Sequence, residues 1–598
     1  MRGFLALSWA PNRATPLDHD RAERAISYLS SGAATPVVHR GADGWVAITD
    51  PDPDDEVDDQ TRAFTFRLGR AARTPSGEMS TSALSKLLGN GTAVDGETLT
   101  TLLPPFAAAH RSGADEPVVA ATDWLGFRQL FWWQGHGVAA ISTSALALGV
   151  LGGAEFDTAA LGLQSLVGWQ VGLGTVMKGV TKLAAGSVAV MHAGRVHVRR
   201  YVEASLSLDG RSAALPDVVE EMARLLRDFH EAYLADHPDT VLQLTGGQDT
   251  RVLLSAVPPA RRQGLRALTV DVHGGSDSAF AAKLSRLCEL DHLVYWLDDQ
   301  PPISPQTAHQ LALEASAALD CMASPLALAP LLLAESNLEQ GHRLSGLGGE
   351  TARGFYYFGQ PRHATTEPRL VNQLARWRLF ANEAVTADAL TSDFAVSARH
   401  DALDLINASF EGTSSEWLRA TDQFYLFQRM QRWAGAHGSV AAANRFFINP
   451  MFDRRFVQLA HHAAPDDKRG GRLTGMLIAR LDPGLAAVPL DSGLVPERLG
   501  VQGMRTRAAL ARVTARKAAG KLRQRLRRAG RPQLGATEMA ALVVAHWRSE
   551  PDAVAPLRGM DLVREDWLDA VVRGTQQPQP ATVAFLVNLL VLADATRS

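Results

Sequence analysis

The sequence predicts a mixed α/β protein in two modules, a β-rich N-terminal one and a second built on a parallel sheet. Three observations predict it. The chain has 598 residues, more than one core normally organises. Up to about residue 207 it reads as β-prone runs broken by glycine turns, with short helices. From about residue 213, short apolar runs alternate with stretches of helical periodicity. The division is placed at 1–207 and 208–598.

In order along the chain, VVHRGADGWVAI (37–48) is two β-prone runs around a Gly41–Gly44 turn, a hairpin pattern. The acidic DPDPDDEVDDQ (50–60) reads as a solvated loop. PVVAATDWLGFRQLFWW (117–133) reads as strand, turn, strand, and VAVMHAGRVHVRRY (188–201) as a hairpin turning at Ala193-Gly194. PDVVEEMARLLRDFHEAYLADH is an amphipathic helix. TVLQLTGG is a strand ending in glycines, and GLRALTVDVHGG is a second strand. SDSAFAAKLSRLCELD is a helix and HLVYWL a third strand. Strands and helices in that order make a parallel sheet with covered faces. The remainder is predominantly helical.

Composition narrows the function classes. Hydrophobic residues at 46%, charged residues at 21% and a net charge of −3 describe a soluble globular protein with no bulk attraction to nucleic acid or anionic membrane. Cys288 and Cys321 are too few for a disulfide framework or a cysteine-rich zinc site, which suits a reducing cytoplasm. MRGFLALSWAPNR lacks a signal-peptide core, and no apolar run reaches the roughly 20 residues of a membrane span. A cytoplasmic location is expected.

The segment that carries chemistry is Val241 to Arg251, VLQLTGGQDTR. Gly246 and Gly247 let backbone approach an anion, and the helix that follows offers free N–H groups. Thr245 and Thr250 add hydroxyls. Asp249 would repel a bare phosphate, so it suggests a bridging Mg²⁺. No lysine follows, so this is not the GxxxxGK[ST] loop.

TGGQDT resembles the SGGxDS pyrophosphate loop of the ATP pyrophosphatases that adenylate their substrates, the asparagine synthetases and their relatives. Three further segments resemble that family in order: Thr269-Val270-Asp271 with Gly274-Gly275-Ser276-Asp277; Arg343-Leu344-Ser345-Gly346-Leu347-Gly348-Gly349-Glu350 with Arg353-Gly354-Phe355-Tyr356-Tyr357; and Asn449-Pro450-Met451-Phe452-Asp453. The first half resembles the same family's glutaminase domain, through Asp123-Trp124-Leu125-Gly126-Phe127-Arg128, Ser142-Thr143-Ser144, and Gly174-Thr175 with Gly179-Val180 and Gly186-Ser187. The likeness covers about residues 1–480.

The resemblance implies an N-terminal Ntn-hydrolase-like αββα sandwich. An adenine-nucleotide α-hydrolase-like ATP-pyrophosphatase domain with a helical extension would follow. It implies attack of a carboxylate on ATP, with Mg²⁺, giving an acyl-adenylate and pyrophosphate, then capture by an amine. Leu244, Thr245, Gly246, Gly247, Gln248, Asp249 and Thr250 would bind the nucleotide's phosphates, and Val270, Asp271 and Gly346 would line its pocket. Asp249 and Glu350 would hold the metal, and Lys468 would stabilise the adenylation transition state, with Arg472 the neighbouring cation. A solvated lysine is the plain reading of Lys468.

Departures refine the expectation. The family's glutaminases begin Met-Cys-Gly, with cysteine as nucleophile; this sequence reads Met1-Arg2-Gly3, so no glutaminase activity is expected. The amine is then free ammonia or one already on a substrate. Relatives with the same loss include β-lactam synthetases and lasso-peptide cyclases, and the loop's GGxD[ST]R form looks closest to the cyclases. A precursor peptide would be the substrate, with a leader peptidase and a recognition protein as partners. The alternatives are an ammonia-using synthetase acting on aspartate or another small carboxylate, and a silent nucleotide- or peptide-binding homologue. Leu347 stands where asparagine synthetase carries a glutamate, leaving Tyr356, Tyr357 and Glu350 as candidate bases.

Other residues admit two readings each. Arg251 faces phosphate or carboxylate, or else points to solvent from the first helical turn. His292 binds, or packs. Arg429 and Arg432, neighbours on a helix, meet an anionic substrate or make structural ion pairs. The basic stretch 505–531 is a solvated helix face or a surface for a peptide, lipid or nucleic acid.

Overall fold

The structure, a computed structural model, describes residues 2–597 except 11–18, 30–34, 42–43, 51–52, 59, 70–71, 203–205, 207–213, 300, 339–340, 442–446, 502 and 527–533. Two six-stranded antiparallel sheets form the N-terminal part. One runs Thr181–Lys182, Phe131–Gly135, Val138–Ser142, Phe4–Trp9, Gly44–Ile48, Val37–Arg40. The other runs Arg195–Arg200, Ser187–His192, Val118–Thr122, Ala107–Arg111, Ala63–Arg67, Glu56–Asp58. The period of two along Phe4–Trp9 divides its side chains. Phe4 and Ala6 meet Phe64, Phe66, Ala109 and Ala120 between the sheets, while Leu5 and Leu7 face outward onto helices His19–Ser27 and Ala145–Gly152. Helices Thr81–Leu88 and Gly96–Thr101 cover the other sheet through Leu84, Leu88 and Leu99 against Ala108, Val119 and Ala121. The layers are therefore helix, sheet, sheet, helix.

Both expected hairpins form. Val37–Arg40 pairs antiparallel with Gly44–Ile48, and His192 sits opposite Arg195 across Ala193 and Gly194, whose φ values of 48° and 74° match a two-residue turn of the favoured hand. The 117–133 segment does give two strands, but they belong to opposite sheets. Asp123 explains this: its buried carboxylate accepts the N–H groups of Phe106, Leu125, Phe127 and Arg128, winding the connection into a crossover. The acidic stretch also departs from its reading. Glu56–Asp58 is an edge strand, Asp54 pairs with Arg67 at 2.7 Å, and Asp55 pairs with the buried Arg2.

The second half holds a five-stranded parallel sheet, in order Asp291–Trp296, Arg266–Asp271, Val241–Gln243, Arg343–Leu344, Phe447–Ile448. Helices Leu215–Asp236, Gln248–Ala256, Asp277–Cys288 and Arg472–Leu481 bury their apolar faces with it. The chain moves from the first strand to one side and then returns to the other. A topological switch point thus lies between Val241–Gln243 and Arg343–Leu344. In open α/β sheets, ligands bind outside the carboxyl ends of the strands at such a point.

The expected division at 207 and 208 lies outside the described residues. The largest apolar cluster spans both sides of it: Leu5, Ala22 and Leu146 share it with Ala308, Val543, Trp547 and Phe585. The C-terminal helices Ala536–Ser549 and Pro580–Ala595 thus pack over the first module's helical layer. No helix among the described residues is long and apolar enough to cross a membrane. The basic stretch forms the helix Met504–Leu526, and its end at 527–531 lies outside the described residues.

Candidate active site

The glycine loop after Val241–Gln243 is braced from within. The Thr245 and Thr250 hydroxyls lie 3.1 Å apart, the Gly247 N–H donates to Thr245 Oγ1, and the Gly246 N–H donates to Asp277 Oδ1 at 3.0 Å. Several donors expected to face pyrophosphate are therefore used inside the loop. The N–H groups of Gln248 and Asp249, in the first turn of Gln248–Ala256, carry no hydrogen bond among the described residues. They stand at the positive end of that helix. Leu244 is fully buried, so only its backbone borders the loop. Gln248 Oε1 accepts from Thr474 Oγ1 at 2.7 Å.

Asp249 and Glu350 are joined through a residue to which the sequence assigned no role. Arg353 donates to both Asp249 oxygens, from Nε at 3.1 Å and Nη2 at 2.7 Å, and Nη2 lies 3.2 Å from Glu350 Oε1. Burial, then Asp249, pushes the Glu350 carboxyl up, against Arg353. Burial works to lower the Arg353 guanidinium, but the two carboxylates outweigh it and raise its pKa. A Cβ on Gly349 would stand 2.5 Å from Asp249 Oδ1, and one on Gly346 would stand 3.0 Å from the Thr250 nitrogen. Glycine at both positions is what lets the fourth-strand loop close on the first-strand loop.

These residues fit a hard divalent cation. Two carboxylates share one cationic nitrogen, and Glu350 Oε2 is buried without a hydrogen-bond partner. Oxygen donors of this kind suit Mg²⁺.

Lys468 is not a solvated loop residue. It is completely buried at the end of the short helix Pro465–Lys468, and its Nζ donates to Asp422 Oδ2 at 2.8 Å. The Tyr357 hydroxyl donates to the same oxygen at 2.6 Å. Burial moves Lys468 down and Asp422 up, each opposed by the other's charge, and burial followed by Asp422 raises Tyr357. From Lys468 the chain turns through Gly470 and Gly471, at φ 66° and 75°, and Gly471 packs on the Gln248 amide. Lys468 and the glycine loop are thereby joined by one short segment. Arg472 pairs with Asp467.

Asp422 was not legible as a site residue; it lies outside every motif. Its one signal is helical spacing, Asp422 and Tyr425 being three residues apart with Tyr425 facing Glu350. Arg353 lies three residues after Glu350 in the same way.

The remaining candidate side chains have definite surroundings. Arg251 reaches neither phosphate nor solvent: it is fully buried and donates to the carbonyls of Leu485, Val488 and Pro489, with its pKa pushed down to about 10 by burial. The Asp271 oxygens accept the N–H groups of Val272 and Ser278, so its carboxylate fastens the start of the helix Asp277–Cys288. Val270 is half-buried opposite Tyr295 in the sheet. His292 packs, with Nε2 at 2.9 Å from Thr269 Oγ1. Arg429 and Arg432 diverge because Tyr425–Ala434 winds as a π-helix. Arg432 is buried and donates to the Gly174 carbonyl, while Arg429 lies over the rings of Phe355 and Trp433.

No family model matches the chain, and no curated protein matches it. Two of the solved structures that match show weak similarity. One is an allosteric regulatory enzyme of purine biosynthesis, with TM-score 0.23 and 11% identity over 50% of this chain and 81% of that one. The other is a glutamine phosphoribosylpyrophosphate amidotransferase from B. subtilis complexed with ADP and GMP, with the same score and identity over 50% and 82%.

Proposed function

We propose that the chain is an ATP-dependent ligase that activates a carboxylate as an acyl-adenylate, with release of pyrophosphate, and couples it to an amine. The observation that carries this reading is the position of Asp249 and Glu350 on the two loops at the switch point of the parallel sheet, joined through Arg353.

In this reading the Gln248 and Asp249 N–H groups bind the leaving pyrophosphate, and Asp249 with Glu350 hold Mg²⁺. The cation, when bound, neutralises charge on the phosphates. Lys468, fixed by Asp422, supplies positive charge near the reacting centre. Tyr357 hydrogen-bonds the same carboxylate, which burial makes more basic than an ordinary aspartate. The pair is therefore suited to receive the amine's proton, a role Leu347 cannot fill.

We take the amine to be one already on a substrate and the product to be a peptide macrolactam. The motif resemblance supports this, together with Arg2, whose guanidinium is buried against Asp50, Arg67 and Asp55 and has no nucleophile's chemistry. A precursor peptide, a leader peptidase and a recognition protein would be the partners. The test is pyrophosphate release from ATP by wild type and Asp249→Ala, with precursor peptides and with aspartate plus ammonia. Peptide-dependent release lost in the variant supports the proposal. Release with aspartate and ammonia replaces the peptide by a small carboxylate. Nucleotide binding without release under any condition refutes the ligase reading.

A further inference from the structure

The switch-point crevice lies at the carboxyl ends of the parallel strands. At their opposite ends a second group of ligand-type side chains converges. His237 and Asp239 stand just before Val241–Gln243, and His342 stands just before Arg343–Leu344. We infer that His237, Asp239 and His342, with Glu78 as a fourth ligand, bind a divalent transition-metal ion of zinc's kind. The ion would tie the Arg73–Thr74/Gly77–Glu78 hairpin to the amino ends of two interior strands of the parallel sheet.

Position is the first argument. One ligand atom from each of His237, Asp239 and His342 lies within 4.8 Å of the others. Glu78 reaches in from the other module, with Oε1 at 3.0 Å from His237 Nε2. That nitrogen is buried, yet it makes no properly directed hydrogen bond. The two atoms thus approach each other without satisfying each other. Two imidazoles and two carboxylates are a donor set that zinc takes and that Mg²⁺ does not prefer.

Rigidity is the second. The His237 N–H donates to the Tyr233 carbonyl, the Thr240 N–H and hydroxyl donate to the His237 carbonyl, and the Val241 N–H donates to the His342 carbonyl at 2.7 Å. A Cβ on Gly341 would lie 2.9 Å from the Asp239 carbonyl, so glycine is what allows the two lead-in segments to abut. His342 Nδ1 is 3.2 Å from the Tyr233 hydroxyl. Nδ1–H donation to that oxygen would fix the ring's tautomer and orientation, as an outer-shell partner does for a metal-bound histidine. The two imidazole rings are stacked, with centroids 4.0 Å apart and planes at 26°. Ligation would turn them apart about their broad terminal torsions.

Charge is the third. Arg73 lies over the Tyr233 ring and is paired with Asp236 at 2.8 Å. Neither the Glu78 nor the Asp239 carboxylate forms an ion pair with lysine or arginine among the described residues. Arg266 donates to the Asp239 backbone carbonyl and not to its carboxylate. Two carboxylates with two imidazoles complement a doubly charged cation.

The test uses the full chain, stripped with chelator and titrated with Zn²⁺ by calorimetry, and with Co²⁺ followed by its visible absorption. About one equivalent should bind, with the intense Co²⁺ bands of four-coordination by nitrogen and oxygen. His342→Ala removes a ligand and should weaken binding by at least the roughly 100-fold that loss of an outer-shell partner can cost. Asp239→Asn, at an exposed position that should leave folding intact, should weaken it by about 10-fold. Failure of wild type to bind overturns the inference. So does undiminished binding in Asp239→Asn and His342→Ala, which would place the metal elsewhere, for instance at the exposed His273, Asp298 and Asp299.

Discussion

Lys468 Nζ lies 2.8 Å from Asp422 Oδ2, with both side chains buried and the Tyr357 hydroxyl on the same oxygen. Forty-six positions separate the pair in sequence. A buried ion pair gains little over apolar substitutes, but breaking it leaves one charge uncompensated. Lys468→Met should therefore destabilise the fold by about 3–5 kcal/mol. Lys468→Met with Asp422→Leu should recover most of that loss and still lack pyrophosphate release. Urea unfolding alongside a pyrophosphate assay separates the two effects.

Arg353 bridges Asp249 and Glu350, so it competes with any divalent cation for the same carboxylates. Arg353→Gln should strengthen Mn²⁺ binding to the nucleotide-free protein by about tenfold, on the order of 1.4 kcal/mol. Titration followed by electron paramagnetic resonance reads this directly. Equal affinity in variant and wild type would mean that the cation does not use these oxygens.

Gly349→Ala would push a methyl to 2.5 Å from Asp249 Oδ1. The Asp249 carboxylate must then move, and misplacement of about 1 Å at a reacting centre costs on the order of 100-fold in rate. Thermal unfolding should change far less than pyrophosphate release. A fully active Gly349→Ala would remove Asp249 from the chemistry.

Lys182 is completely buried, donating to the Leu183 carbonyl and to Gln431 Oε1, and burial pushes its pKa from 10.5 to about 7. Between those values the unfolded chain binds the proton that the folded chain releases. Stability should therefore rise with pH from about 7 to 10.5, by at most about 1.4 kcal/mol per pH unit from this group. Lys182→Met should flatten that rise, as measured by denaturant midpoints at pH 7, 8.5 and 10.

Much of this architecture was readable before any coordinates. The hairpin at 37–48, the turn at Ala193-Gly194 and the strand–glycine–helix run at 241–251 each report local geometry, and each formed as read. The 117–133 segment shows the limit. Its strands are local, but whether they pair depends on where Asp123 sends the turn.

The sequence by itself determined the periodicities, the turns and the loop on which Asp249 sits, because these depend on neighbours a few residues apart. Only the tertiary structure decided the partners of the charged side chains. Arg251 is buried among the carbonyls of 485–489, Arg353 reaches Asp249 across 104 positions, and Lys468 leaves solvent for Asp422. A long charged side chain exposes almost the same local pattern whether it is solvated or buried. Its environment is set by which distant backbone comes close enough to accept its hydrogen bonds and offset its desolvation.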